Sequence, residues 1–241
     1  MPLVDELEQP PWTVEELSAR LYAQKFRYHD LHPFHRRMNE GLLSPAEIKL
    51  WAANRFYYQK SIPLKDAAIL SNCSDRQIRR EWIERIIDHD GRGEDEGGIE
   101  AWLRLGEAVG LARTELLDER YVLPGVRYAV DAYVNFCRTE SWIIAIASSL
   151  TELFGPGAIQ VRLAALEKHY SWIDPAGFEY FRVRLKQAPR DARYALNLVL
   201  NRCRSRSIQE KAVRALIFKC NLLWSQLDAI ERGETRPLIK N

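Results

Sequence analysis

The stretch Trp51-Ala52-Ala53-Asn54-Arg55-Phe56-Tyr57-Tyr58-Gln59-Lys60-Ser61-Ile62-Pro63-Leu64-Lys65-Asp66 decides how this chain is read. It lies in a helical pattern, yet it puts polar groups where a core helix would put leucines. Arg55, Tyr58, Gln59 and Ile62 fall at i, i+3, i+4 and i+7, hence on one face. A guanidinium and an amide on an aromatic face must reach water or find partners, because an unpaired buried charge is too costly. Pro63 has no backbone donor and is expected to kink or restart the helix, re-aiming Lys65 and Asp66. The stretch reads as one wall of a polar pocket inside a helical protein.

Working upstream, Ser44-Pro45-Ala46-Glu47 is a capping box with proline at the first helical position, and it launches this helix. Before it, Tyr28-His29-Asp30-Leu31-His32-Pro33-Phe34-His35 reads as a histidine-rich loop turning into a short helix that Gly41 ends. Thr13 to Glu16 is a second capping box, opening a helix to about residue 25. Residues 1–12 are expected to be a loose arm. Downstream, Ser74 to Gln77 is expected to cap a helix with Trp82, Arg85, Ile86 and His89 on one stripe. The glycine-rich acidic run 90–98 is a loop. Helices are expected at about 99–109 and 114–119. The longest periodic run goes from Pro124 to about Phe154, which would set Tyr133 and Thr151, 18 residues apart, at the same angle. Gly155-Pro156-Gly157 is expected to break it. Four more helices follow at about 158–169, 175–187, 190–204 and 208–231, with Tyr180 and Arg184 as i, i+4 partners and Lys219 amid apolar residues. No stretch alternates as a strand does, and no repeat is present. The expectation is an all-α bundle: one domain over 13–232, with a short tail from 233.

The 46% apolar and 28% charged fractions are those of an ordinary globular chain. At 241 residues it can bury roughly 70–75% of its unfolded surface. A net charge of +2 gives no case for nucleic acid or a membrane surface, and no aromatics interleave the basic segment Arg202–Arg206. No apolar run reaches the length of a membrane span, and the acidic N-terminus lacks an apolar signal core. Four scattered cysteines without a CxxC fit buried thiols in a reducing cytoplasm.

Di-iron bundles need Glu-x-x-His on two helices, and this chain has none. His29, His32 and His35 have a metal-like spacing, but Pro33 makes the local geometry irregular, and His32 and His35 read as caps and surface residues. A haem pocket with His29 as axial ligand suits an all-α chain. Its walls would be apolar, however, and the candidate walls here carry Arg55, Gln59, Lys65, Arg85 and Arg184. Those groups suit a polyanion, since guanidinium binds carboxylates in bidentate fashion. Basic neighbours are also expected to make His89 and Tyr180 easier to deprotonate.

These stretches resemble the pyrroloquinoline quinone synthase C family from about Thr13 to Ile230. The specific parts are WAANRFYYQKSIPLKDAAIL, RREWIERIIDHDG, GGIEAWLRLGEAVGL, VLPGVRYAVDAYVNF and SSLTELF. The resemblance implies a haem-oxygenase-like fold of seven main helices, a homodimer, and no metal or organic cofactor. It implies ring closure of a polycarboxylate quinone precursor and its oxidation by O2, giving pyrroloquinoline quinone and H2O2. By position within matching motifs, the implied catalytic residues are His89, Tyr180, Arg184 and His29. The implied substrate-binding residues are Arg55, Gln59, Lys65, Arg85, Tyr133, Thr151, Glu152, Arg162 and Lys219. His89 is the implied acid or base; Tyr180 and Arg184 form the oxygen and peroxide site. The chain departs from the family at Ile159, where many members have a histidine at the oxygen end of the pocket, and at Glu140, Ile143 and Ile144. These departures keep an alternative open: a haem-oxygenase-like protein with a changed substrate, or one that binds a quinone without turning it over.

Overall fold

The computed structural model describes residues 9–233, and these fold as helices without a strand beyond one isolated bridge at Arg92 and Asp95. In chain order they are α1 (Val14–Tyr22), α2 (Pro33–Asn39), α3 (Pro45–Asn72), α4 (Arg76–Trp82), α5 (Glu84–Asp90), α6 (Gly97–Ala108), α7 (Arg113–Leu117), α8 (Pro124–Thr139), α9 (Trp142–Ser148), α10 (Gly155–His169), α11 (Glu179–Arg202) and α12 (Arg206–Arg232). Short 3-10 turns at Ala23–Arg27, His29–Leu31, Ser149–Leu153 and Pro175–Phe178 join them. No single helix is long and apolar enough to cross a membrane.

Helix α3 is the axis of the bundle. Its capping box forms in full: the Ser44 hydroxyl accepts from the Glu47 amide, and the Glu47 carboxylate accepts from the Ser44 amide at 2.8 Å. The helix then runs unbroken through Pro63, against the expected kink or restart. Proline removes one hydrogen bond, but α3 packs on α5, α6, α8 and α9, and that burial outweighs the loss. On one side of α3, Trp51 and Phe56 join Trp102, Phe178 and Phe181. On the other, Ile69 joins Trp82, Ile146 and Leu216. Each fully buried Phe or Leu in these clusters contributes ~1.5–3 kcal/mol. Tyr58 packs against both clusters and marks the space between them.

Several expected boundaries move for tertiary reasons. The run from Pro124 divides after Thr139, because the Asn72 amide of α3 donates to the carbonyls of Cys137, Arg138 and Glu140 (3.4, 3.0 and 3.3 Å) and caps α8 there. Gly155-Pro156-Gly157 opens α10 rather than leaving a gap, with Pro156 in the first turn. The two helices expected at 175–187 and 190–204 are one, α11, which continues through Pro189 because Ala188, Ala192, Ala195 and Val199 are buried along it. Asp75, not Ser74, caps α4, its carboxylate accepting from the Gln77 and Ile78 amides. A one-residue break at Ile83 separates α4 from α5, yet Trp82, Arg85 and His89 all stay buried. The end of the expected arm is held: the Trp12 amide donates to Gln209 at 2.7 Å, and the Pro10 carbonyl accepts from Arg206. Residues 1–8 of that arm, and 234–241 of the tail, lie outside the described residues.

Candidate active site

Between α3, α5, α8, α10, α11, α12 and the Ser149–Leu153 turn lies a polar cavity. Arg55, Gln59, Lys65, Arg85, His89, Tyr133, Thr151, Glu152, Tyr180, Arg184 and Lys219 all line it, with Tyr28, Tyr58, Ile62, Ser149 and Ile159 among their neighbours. Tyr133 and Thr151 reach it from separate elements, not from one helix face; the Tyr133 hydroxyl lies 3.4 Å from Ser149 Oγ. Two of the sequence candidates, His29 and Arg162, do not line the cavity and stand behind the ring of Tyr28 and the α2–α10 contact.

At one end the cations are paired. Arg85 donates to both oxygens of Glu152 (2.7 and 2.6 Å), reaches Asp66 at 3.4 Å and lies 3.2 Å from Asp191. Arg184 lies 3.2 Å from Asp191 and 3.6 Å from Glu152. Burial works against the Arg85 charge, but Glu152 and Asp66 outweigh it and raise its pKa well above the usual range. Burial likewise pushes the Glu152 carboxyl up, and Arg85 and Arg184 overcome this to hold it at about 2. Lys65 Nζ donates to Asp66 at 2.6 Å and to Ser149 at 3.1 Å.

His89 sits at this end. Its Nδ1–H donates to the Arg85 carbonyl one turn back (2.9 Å), which leaves the lone pair on Nε2. Nε2 is buried and has no partner among the described residues. Burial, then the Arg184 charge, pulls the ring down to about 3, so it is neutral at ordinary pH. Tyr180 runs the other way from the sequence expectation. Burial raises its phenol, overriding Arg184 and Arg55, so the hydroxyl keeps its proton and donates to Gln59 Oε1 at 2.8 Å.

At the other end no carboxylate pairs with the cations among the described residues. Lys219 Nζ lies 3.2 Å from the Tyr133 ring centroid and 4.3 Å from that of Tyr58, and makes no hydrogen bond among the described residues. Burial, with Lys65 and Arg55 nearby, draws its pKa well below that of an ordinary lysine. The Arg55 guanidinium lies 4.0 Å from the Tyr58 ring centroid.

The histidines do not converge on a metal-like point. His32 caps α2 by accepting from the Phe34 amide at 3.0 Å, and its Nε2 faces Asp228 at 3.2 Å. His35 donates from Nδ1 to the His29 carbonyl (2.9 Å) and presents Nε2 to Arg162 at 3.2 Å. Both are buried, against the surface reading, because α12 covers the first and α10 the second. Burial keeps the pKa of His29 and of His35 well below the usual value. Burial and Arg55 together lower Arg162 to about 10.

Sequence reasoning misread His35 as a surface residue, passed over Asp191 and Ser149, and treated Asp66 only as the end of a stretch. The Lys65-Asp66 pair inside an aromatic helix was the one available signal. The contacts that set their roles, Asp191 with Arg85 and His35 with Arg162, join positions more than 100 residues apart.

The all-helical architecture is that of the haem-oxygenase-like fold. A domain of unknown function with a heme oxygenase-like fold from Shewanella denitrificans superposes with a TM-score of 0.75 at 14% identity, over 92% of this chain and 93% of that one. A TenA homolog from Pseudomonas syringae gives 0.70 at 15%, over 93% and 98%. Within that class, the chain belongs to the TENA/THI-4/PQQC family, whose profile matches residues 19–229. Curated relatives named pyrroloquinoline-quinone synthase are 56% identical over 224 residues in Ectopseudomonas mendocina (93% of this chain, 90% of that one). They are 59% identical over 203 residues in Pseudomonas aeruginosa (84% and 81%) and 52% over 228 residues in Cronobacter sakazakii (95% and 91%).

Proposed function

We propose that this chain is a pyrroloquinoline-quinone synthase that closes the ring of a polycarboxylate quinone precursor and oxidises it with O2, releasing H2O2. The relatives' shared name and high identity support the pathway role. The single observation behind the chemistry is the buried, neutral Nε2 of His89, without a partner among the described residues, in a chamber walled by cations. Lys219 and Arg55, which have no anionic partner among the described residues, receive substrate carboxylates. His89 Nε2 takes the proton released in cyclisation or oxidation. A ring held near 3 is by itself a weak base. A polycarboxylate that offsets the Arg184 field raises it toward the useful range.

Electrons pass from the substrate's own reduced ring to O2, two electrons and two protons making each H2O2. Arg184 and the protonated Tyr180 stabilise the negative charge that builds on oxygen. No organic cofactor or metal takes part in this scheme. The homodimer and the cytoplasmic setting belong to the same proposal; four free, buried cysteines favour a reducing compartment.

Titrating the protein with pyrroloquinoline quinone is expected to shift the quinone's visible spectrum. His89→Ala is expected to retain that binding while oxygen uptake with the precursor slows by ~10²–10⁴-fold. Uptake equal to wild type removes His89 from the mechanism. A second reading, quinone binding with a changed substrate or without turnover, draws on Ile159, which lines the chamber. It predicts the spectral shift without oxygen uptake.

A further inference from the structure

We propose that Asp66 and Asp191 are positioning residues for this reaction: two buried acidic side chains outside the chamber that hold three of its cations, Lys65, Arg85 and Arg184, in register. This rests on the functional reading above. Neither residue lines the cavity, and they are 0% and 4% exposed. Asp66 Oδ1 accepts from Lys65 Nζ (2.6 Å), Trp82 Nε1 (2.8 Å) and Arg85 Nε (3.4 Å). Asp191 Oδ2 lies 3.2 Å from both Arg85 and Arg184, while its Oδ1 accepts from Arg190 at 2.7 and 3.0 Å. Arg85 is thus gripped from two helices at once, α3 and α11.

The geometry is not what stability alone selects. Successive residues on a helix do not face each other, yet Asp66 turns back onto Lys65. Its Oδ2 is buried without a partner among the described residues. Well-packed apolar side chains usually serve a core as well as buried ions or better. What the two carboxylates supply is direction: like charges that would swing apart are fixed side by side on the chamber wall before any ligand arrives.

Asp66→Asn and Asp191→Asn keep shape and an acceptor oxygen while removing the negative charge behind the cations. The chamber then becomes more positive, so pyrroloquinoline quinone is expected to bind at least as tightly as to wild type in a spectral titration. Oxygen uptake with the precursor is expected to fall roughly 10- to 100-fold, because the cations lose their fixed points. Binding and turnover that weaken together, in step with the folded fraction read by circular dichroism, overturn the proposal, as does turnover equal to wild type. If one variant fails to fold, the other decides; if neither folds, the carboxylates are structural and the proposal is wrong. A wild-type protein that neither binds the quinone nor consumes oxygen sinks the functional reading itself, and this inference with it.

Discussion

The two ends of the chamber carry the same kind of charge under opposite conditions. Around Arg85 and Arg184, every cation meets a carboxylate: Glu152, Asp66 or Asp191. Around Lys219 and Arg55, cations rest on the rings of Tyr133 and Tyr58 with no anion among the described residues. The first arrangement is complete without a ligand, so it is rigid and suits chemistry. The second is incomplete, since burial and the neighbouring Lys65 and Arg55 charges disfavour the Lys219 charge, and an incoming carboxylate relieves it.

If that contrast is right, substitutions at the two ends fail in different ways. Arg85→Met strands the buried carboxylates and is expected to cost roughly 3–5 kcal/mol of stability, read by denaturant unfolding. Lys219→Met removes a buried charge that has no ion-pair partner among the described residues. Its stability is expected to equal or exceed wild type, while quinone affinity falls roughly 10- to 100-fold, or ~1.5–3 kcal/mol, in a spectral titration. Equal destabilisation by the two substitutions would erase the distinction.

Acid sharpens it further. Unfolded His89 takes a proton below about 6.5, whereas the folded ring does so only near 3. The unfolded state therefore binds more protons between these values. Stability is full above pH ~6.5 and falls as pH drops through this window, by up to ~1.4 kcal/mol per unit for this ring. Glu152, held at about 2, adds its own loss below its unfolded value near 4.5. His89→Gln is expected to flatten the upper part of the curve of melting temperature against pH, and an unchanged slope would assign it elsewhere. The smallest effect belongs to Ile159→His. The site is half-buried and faces the cavity, so its melting temperature should reflect a change of about 1 kcal/mol or less.

The helical class was legible because the apolar period near 3.6 persists along the chain, and the capping boxes at Thr13 and Ser44 form as written. Several of the residues now lining the chamber were legible too, since polar side chains fall among apolar and aromatic ones at Arg55, Gln59, Arg85 and Arg184. Pro63 misled, because packing on both sides of α3 outweighs one missing hydrogen bond, and the gap expected near 188 closes because α11 continues through Pro189. The Tyr180 phenol misled because burial beats nearby positive charge, and burial is a property of the assembled bundle.

By itself, the order of residues determined which side chains share a helix face and where helices start, because these depend on neighbours three or four positions away. Only the tertiary structure decided that Asn72 stops α8, that His35 meets Arg162, and which cations find a carboxylate. Those outcomes turn on contacts between distant segments, and on how far water is excluded when the helices close together.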